Sequence, residues 1–577
     1  MKNIKQYFHD IFFSDNKDDY DFTLGDTTNS VVIDSSTSYD NSNKTLNLNN
    51  ESLQDTSKDT VFQAIDVNLE YVKVRFNSII SSDVKIREFT LNARNKQYNA
   101  FLVYIDGMID QDIMNNYILK PLMLKNSANS FDGNQNRVLA EVKTNNITVK
   151  KIKKFDIIEY ISNCLLPQNA VEKLSKFDDI IDGINSGNCA LFIDTLDIAF
   201  DIEVKGFKQR GLDTPNNETV IRGAQVGFTE NLRTNTSLLR RYINNENLVV
   251  ESINVGKLSK TSCAICYLKN VANSDLVAEV RYRVSNLAID YLISSGQLEQ
   301  LIQDDDNSSL PQLISTERPD KTANLLFDGR VAIIVNGSPY VLVVPAIFSD
   351  FLSSPEDYNL KHQYANFLRI LRVVAITFAL LLPGIYMAIA NFHQEIIPTE
   401  LLYTIISARE TVPFPILFEI LIMELSFELI REASIRVPSP VGQTIGIVGA
   451  LILGQAAVDA SIVSPILIII VSFTGICSFS IPDFSLSFHF RIMRFVYILL
   501  GSLAGFVGIA AGICVHLSIL SNLKSFGVNY LGKSIFNTNK SGNGIVLSPA
   551  YRREDRSDFL KSKRPKLQDT ISMKWKY

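Results

Sequence analysis

The chain has 577 residues, enough for several domains, with a formal net charge of -5, 46% hydrophobic residues and a mean hydropathy of +0.09. These averages conceal a division: the first two thirds are polar, whereas between Val437 and Phe490 there is no Lys or Arg and the only acids are Asp459 and Asp483. The polar part holds no basic, aromatic-interleaved patch, so nucleic acid is excluded as an expected partner.

Residues 1–60 are rich in Asn, Asp, Ser and Thr. They cannot bury enough apolar surface to order themselves, and a disordered leader is expected. The opening MKNIKQYFHDIFF lacks the apolar core of a secretory signal, so the large N-terminal region is expected to be cytoplasmic. Residues 61–205 and 246–360 then alternate short apolar strands with amphipathic stretches. FLVYID, ended by Gly107, precedes a helical pattern, and AICYLK precedes LVAEVRYRVSNL. CALFID and VAIIVN are each followed by a small turn and another apolar run. Two similar α/β subdomains in tandem are the simplest account.

Between them, residues 206–245 form an Arg-rich segment containing Glu218, Arg222, Arg240 and Arg241. It reads either as a solvated linker or as a segment that orders the two units. Cys263 and Cys266 make a lone CxxC, but in the strand pattern TSCAICYL they point to opposite faces. No metal or cofactor is therefore expected.

Residues 361–535 read as an α-helical multi-span membrane domain. Val373 to Ala390 is long enough to span and is interrupted by Pro383-Gly384. Ile396 to Pro413 is amphipathic, and Val441 to Val458 and Ile462 to Ile481 form a pair free of Lys and Arg. Phe495 to Leu520 is the last apolar segment. It carries Gly501, Gly505, Gly508 and Gly512 at helical spacing, a row that lets helices approach closely, either within one subunit or between subunits. His516 lies deep in this segment, with a proton or ion role to weigh against a satisfied hydrogen bond. Arg369, Arg372, Arg431, Arg436, Arg491 and Arg494 are consistent cytoplasmic anchors, but a final straight span then sends the basic tail, 536–577, to the outside. One segment must be re-entrant, interfacial or misjudged; the acidic helix and 396–413 are the candidates.

That acidic helix, about Ile416 to Glu432, is the chain's main anomaly. At ~100° per residue, Glu424, Glu428, Arg431 and Glu432 share one arc, while Ile416, Phe418, Ile422, Met423 and Phe427 cover much of the rest. Ionisable groups at membrane depth are costly and usually face a bundle interior or a water-filled path. A pore, a relay or an assembly interface fits. Glu428 with Arg431, and Glu432 with Arg436, have the spacing to neutralise each other, whereas Glu424 has no such local partner.

No phosphate-binding loop, dinucleotide fingerprint, HExxH or nucleophile elbow occurs, and the histidines are dispersed, so enzyme activity is not expected. Several blocks in fixed order instead resemble the A subunit of the nutrient germinant receptors of endospore-forming bacteria, the GerA family. They include ETVIRG with GFTE (218–230), TERPDK (316–321), PEDY (355–358), IPTELL (397–402), VPFP (412–415), REA (431–433), GQAAV (454–458) and SFG (525–527). The sequence departs from the family's pattern at Ala224-Gln225-Val226 and at Asn529.

The resemblance implies a two-subdomain cytoplasmic region on a multi-pass domain in the inner spore membrane. It implies partnership with a transporter-like B subunit and a lipoprotein C subunit, with membrane lipids, and with copies of itself as a homo-oligomer. The implied function is transduction of nutrient binding into germination, through an oligomeric channel that releases ions. Two alternatives stand beside it: a structural docking subunit and a transporter-like protein without its own conduction path.

Overall fold

The computed structural model describes residues 22–25, 60–93, 96–123, 157–206, 215, 218–436, 454–532, 544 and 546–568. The expected leader, apart from 22–25, and most of the expected segment Val441 to Val458 lie outside them.

Two units follow one another with the same plan. In the first, helix α1 (Ile65–Arg75) precedes β1 (Val84–Ala93) and β2 (Lys96–Ile105). After helical segments that include Met114–Leu119 come β3 (Val171–Leu174), α2 (Phe177–Asn185), β4 (Cys189–Ile193) and β5 (Ala199–Ile202). In the second, α3 (Leu232–Tyr242) precedes β6 (Leu248–Val255) and β7 (Thr261–Leu268). It continues with α4 (Ser274–Ser285), α5 (Ser295–Ile302), β8 (Ile314–Thr316), α6 (Pro319–Asp328), β9 (Val331–Val335) and β10 (Val341–Val344).

The sheets are five-stranded, with orders β1-β2-β4-β5-β3 and β6-β7-β9-β10-β8. Every pairing is antiparallel. The repeat expected from CALFID and VAIIVN is thus a repeat of topology. Both runs form inner strands whose residues are all buried, because helices or neighbouring chain cover both faces. Cys263 and Cys266 lie on β7 in separate core clusters on its two sides. Burial pushes the Cys263 thiol up to about 12, so it is inert.

Of the segment 206–245, read either as a solvated linker or as one that orders the two units, residues 218–245 pack on the second unit. Asn231 caps α3 by accepting from the Thr234 amide, and Leu238, Leu239 and Ile243 enter the same core as Leu248 and Ile334. The described part of the tail, 546–568, packs on the second unit: Arg556 Nε donates to the Phe327 carbonyl at 2.6 Å, and Ser562 Oγ to that of Asp328 at 3.0 Å.

The second unit sits directly on the helical half, whose Leu486, Phe490, Tyr497 and Leu520 belong to its core cluster. That half comprises α7 (His362–Phe392), α8 (Thr399–Arg409), α9 (Ile416–Arg436), α10 (Pro465–Phe479) and α11 (Phe484–Asn522). Helices α7 and α11 are long and apolar enough to cross a membrane, and α10, with 15 residues, is shorter. Such helices on a soluble two-lobed region accord with membrane association. Arg369 and Arg372 hold Asp357 at 2.9 and 2.7 Å, fixing the base of α7. The remainder of α7 is about 30 Å long, the thickness of a hydrocarbon core.

Helix α11 is not straight. Gly505 adopts φ 58° and ψ -139°, and the chain folds back there. Residues 484–504 and 506–522 lie side by side: His489 meets His516, and Gly512 lies against Leu500 and Tyr497. Both ends of this hairpin return to the second subdomain, where Leu523 joins the core and Ser525 Oγ donates to the Gln312 carbonyl at 2.6 Å. The expected single span Phe495 to Leu520 is corrected accordingly. Both ends of the 484–522 segment thus lie on the same side, at the second subdomain.

Candidate functional site

The glycine row separates across the hairpin. A Cβ on Gly501 would lie 2.5 Å from the Gly384 carbonyl oxygen of α7, and one on Gly384 would lie 2.8 Å from that of Tyr497. Gly505 makes the bend; Gly508 and Gly512 face the outgoing arm, against Leu500. The four residues thus pack inside one chain, on different helices. This close approach sets the outgoing arm beside α7 and leaves its Arg491 and Arg494 facing α9.

Helix α9 buries Ile416, Glu419, Ile420, Met423, Glu424 and Arg431, and exposes Phe418, Ile422, Leu425 and Leu429. Its outward face from Phe418 to Leu429 is apolar, and Glu419, Glu424 and Arg431 share the inward face with Ile416, Ile420 and Met423, an arrangement suited to a helix bounded by lipid. Glu424, fully buried, is 2.8 Å from Arg494 Nη1. Glu428 accepts from Arg494 Nη2 and Arg491 Nε, each at 3.1 Å, and again from Arg491 Nη2. Arg431, on the same helix, approaches Glu428 at 3.9 Å, donates to Ser478 Oγ of α10, and stacks 4.3 Å above the Phe479 ring. One turn earlier, Glu419 accepts from the Ser464 amide at 3.2 Å and pairs with Arg409 at 3.5 Å.

The site is therefore an ion-pair cluster joining α9 to the outgoing arm. Glu424, which lacks a partner within its own helix, takes one from the hairpin. Glu428 bonds chiefly to the hairpin rather than to Arg431. Glu432 is exposed. Arg491 and Arg494 were read only as topology anchors, yet their i, i+3 spacing puts them on one helix face, and that was the available signal.

His516 is placed against His489 and Tyr497 at the hairpin base, away from the carboxylates. Among the described residues no group of three or more His, Cys, Asp or Glu could hold a metal ion.

The soluble candidates occupy two places. Arg240, 2% exposed, donates from Nε to Asp83 at 2.8 Å and from Nη2 at 3.0 Å, pinning α3 of the second subdomain to the first. Glu218 lies within the second subdomain. Burial pushes its carboxyl up, but the Lys321 ammonium at 2.7 Å, with hydrogen bonds from Thr316 and the Glu317 amide, outweighs that and holds it below its ordinary value. Arg222 and Arg241 are exposed. A polar cleft of about 300 Å³ runs between the subdomains, lined in part by Asp83, Asp106, Arg233 and Asn336.

Residues 70–559 match the family model described as Bacillus/Clostridium GerA spore germination protein. Spore germination protein KA of Bacillus subtilis (strain 168) is 38% identical over 451 residues, 78% of this chain and 78% of that protein. Spore germination protein GerLA of Bacillus cereus is 33% identical over 488 residues, 85% of this chain and 91% of that protein. Among solved structures, the crystal structure of the N-terminal domain of the A subunit of the Bacillus megaterium spore germinant receptor GerK3 is 29% identical. It covers 50% of this chain and 97% of that one, with a TM-score of 0.36. The chain belongs to the GerA family of spore germination proteins.

Proposed function

We propose that this chain is the A subunit of a nutrient germinant receptor, and that it converts nutrient binding into germination by gating ion release through an oligomer of itself. Its partners in this reading are a transporter-like B subunit and a lipoprotein C subunit. The receptor sits in the inner spore membrane with the two subdomains in the cytoplasm. The observation that carries the gating role is the sharing of Glu428 between Arg491 and Arg494 of the hairpin, with Glu424 bound to the same Arg494.

In the closed arrangement the carboxylates are neutralised and offer nothing to a cation. A shift of the hairpin relative to α9 withdraws the Arg491 and Arg494 guanidinium groups; Glu428 keeps Arg431 at 3.9 Å, and Glu424 is left to attract and concentrate cations in a narrow site.

The second reading, a docking subunit without a conduction path, is favoured by the same neutralisation, since an ion-paired cluster also serves to hold helices together. The chain reconstituted in liposomes separates the two by monovalent cation flux. Conduction predicts flux that changes by about tenfold or more in Glu424→Gln and Glu428→Gln, the scale of one lost charge interaction. No flux from the oligomer, or flux indifferent to both substitutions, removes the cluster from the ion path.

A further inference from the structure

The base of the hairpin carries a second polar device that the ion-pair cluster does not use. His489 on the outgoing arm is 4% exposed and His516 on the returning arm 6%. Their Nε2 atoms are 3.2 Å apart. The other nitrogen of each ring is also engaged: His489 Nδ1 lies 2.7 Å from Ser309 Oγ in the loop before β8, and His516 Nδ1 lies 3.3 Å from the Tyr497 hydroxyl. Ser309, His489, His516 and Tyr497 thus form one chain of hydrogen bonds from the soluble subdomain through both arms.

A neutral imidazole has one donor and one acceptor, and a hydroxyl can act as either, so the chain is fully satisfied running in either direction. Most of the charged groups on surrounding elements are committed elsewhere; Glu299, near Asp483, has its carboxyl pushed up to about 7 and titrates in the same range, and the histidine double variant leaves it in place. Arg491 and Arg494 on the same arm, with Glu424 and Glu428 on α9, bind one another. Arg369 and Arg372 at the base of α7 hold Asp357. Asp483 caps α11 through the Leu486 amide, and Asp304, in the loop that carries Ser309, binds Arg283 and the Phe526 amide. Among the described residues no carboxylate hydrogen-bonds to either imidazole.

We propose that His489 and His516 form a proton-binding site that latches the two arms of the hairpin to each other and to the second subdomain, closed when neutral and released by protonation. One added proton can be shared between the facing Nε2 atoms. It places a cation in a pocket without a counter-ion, where desolvation is costly. A second proton leaves two N–H groups facing each other with no acceptor between them. Water solvates both charges once the base opens, so protons favour the open base. The outgoing arm carries Arg491 and Arg494 within two turns of His489, so release at the base displaces the guanidinium groups that hold Glu424 and Glu428. The site therefore adds proton control to the hairpin and holds whether or not the oligomer conducts.

The test is hydrogen exchange of the full chain in detergent, followed by mass spectrometry between pH 5 and 8 and corrected for the intrinsic pH dependence of exchange. Peptides covering residues 484–490 and 514–523 report the hairpin base, and β9 reports the intact subdomain. The wild-type ratio of open to closed base should rise as pH falls, by up to about tenfold per pH unit for each proton taken up. His489→Gln with His516→Gln keeps a donor and an acceptor at each position and should flatten the profile. A flat wild-type profile, or an unchanged slope in the double variant, overturns the proposal. If the double variant loses β9 protection, Ser309→Ala replaces it: a moved midpoint supports the latch, and an unmoved one overturns it.

Discussion

The buried pair Glu424–Arg494 makes a quantitative prediction. At 2.8 Å and an effective dielectric of about 20, its Coulombic attraction is roughly 6 kcal/mol, most of it offset by removing both ions from water. Glu424 and Arg494 are 0% and 1% exposed, so removing Arg494 leaves Glu424 buried without its ion-pair partner, whereas removing Glu424 leaves Arg494 its hydrogen bond to Glu428 at 3.1 Å. Glu424→Leu should therefore cost about 1–3 kcal/mol. Arg494→Met should cost more, because Arg494 also supports Glu428, which then keeps only Arg491 and the more distant Arg431. The double variant removes both ions at once and should lose clearly less than the two single losses summed, with a coupling energy of about 2 kcal/mol or more. Thermal unfolding in detergent of the wild type, both single variants and the double variant reads this out as midpoint shifts. Shifts that simply add in the double variant would refute the argument that these groups neutralise each other across two helices.

Two further outcomes follow from packing and charge. Gly501→Ala drives a methyl group into the Gly384 carbonyl and should separate α7 from the outgoing arm, costing about 1–3 kcal/mol. Leu503→Ala, on an outward position, should stay within about 0.5 kcal/mol in the same unfolding assay. Glu299, partly buried beside the end of α11, has its carboxyl pushed up to about 7 by burial and by Asp483. Because the folded state favours the neutral acid, the cost of charging it is absent below about pH 4.5, grows as pH rises, and is complete above about 7. Glu299→Gln should accordingly raise stability by on the order of 1–2 kcal/mol at pH 8 and leave it unchanged at pH 4. Equal effects at both values would refute the assignment.

Much of the soluble half was legible in the sequence, because burial on both faces of an inner strand demands an unbroken apolar run. CALFI and VAIIV stand out for that reason, and their common surroundings disclosed the repeat. The segment around Leu232–Tyr242 was less legible: its Arg and Asn residues resemble a solvated linker, and only Asp83, distant in the chain, makes the burial of Arg240 affordable. The charged helix in an apolar region was equally evident, since its anomaly is local.

What the sequence by itself determined is the family, the tandem α/β plan and the existence of charges in an apolar region that must find partners. Tertiary structure alone decided who those partners are. Helical periodicity places Glu424, Glu428 and Arg431 on one face but says nothing about the helices opposite: the two carboxylates meet Arg491 and Arg494 of the hairpin, and Arg431 meets Ser478 of α10. The fold of α11 was hidden for a related reason. A single residue, Gly505, leaves the helical region, and both arms are apolar, so one reversal reads as one continuous span. Only the contact of the two arms brings His489 to His516 and returns the chain to the side from which it entered.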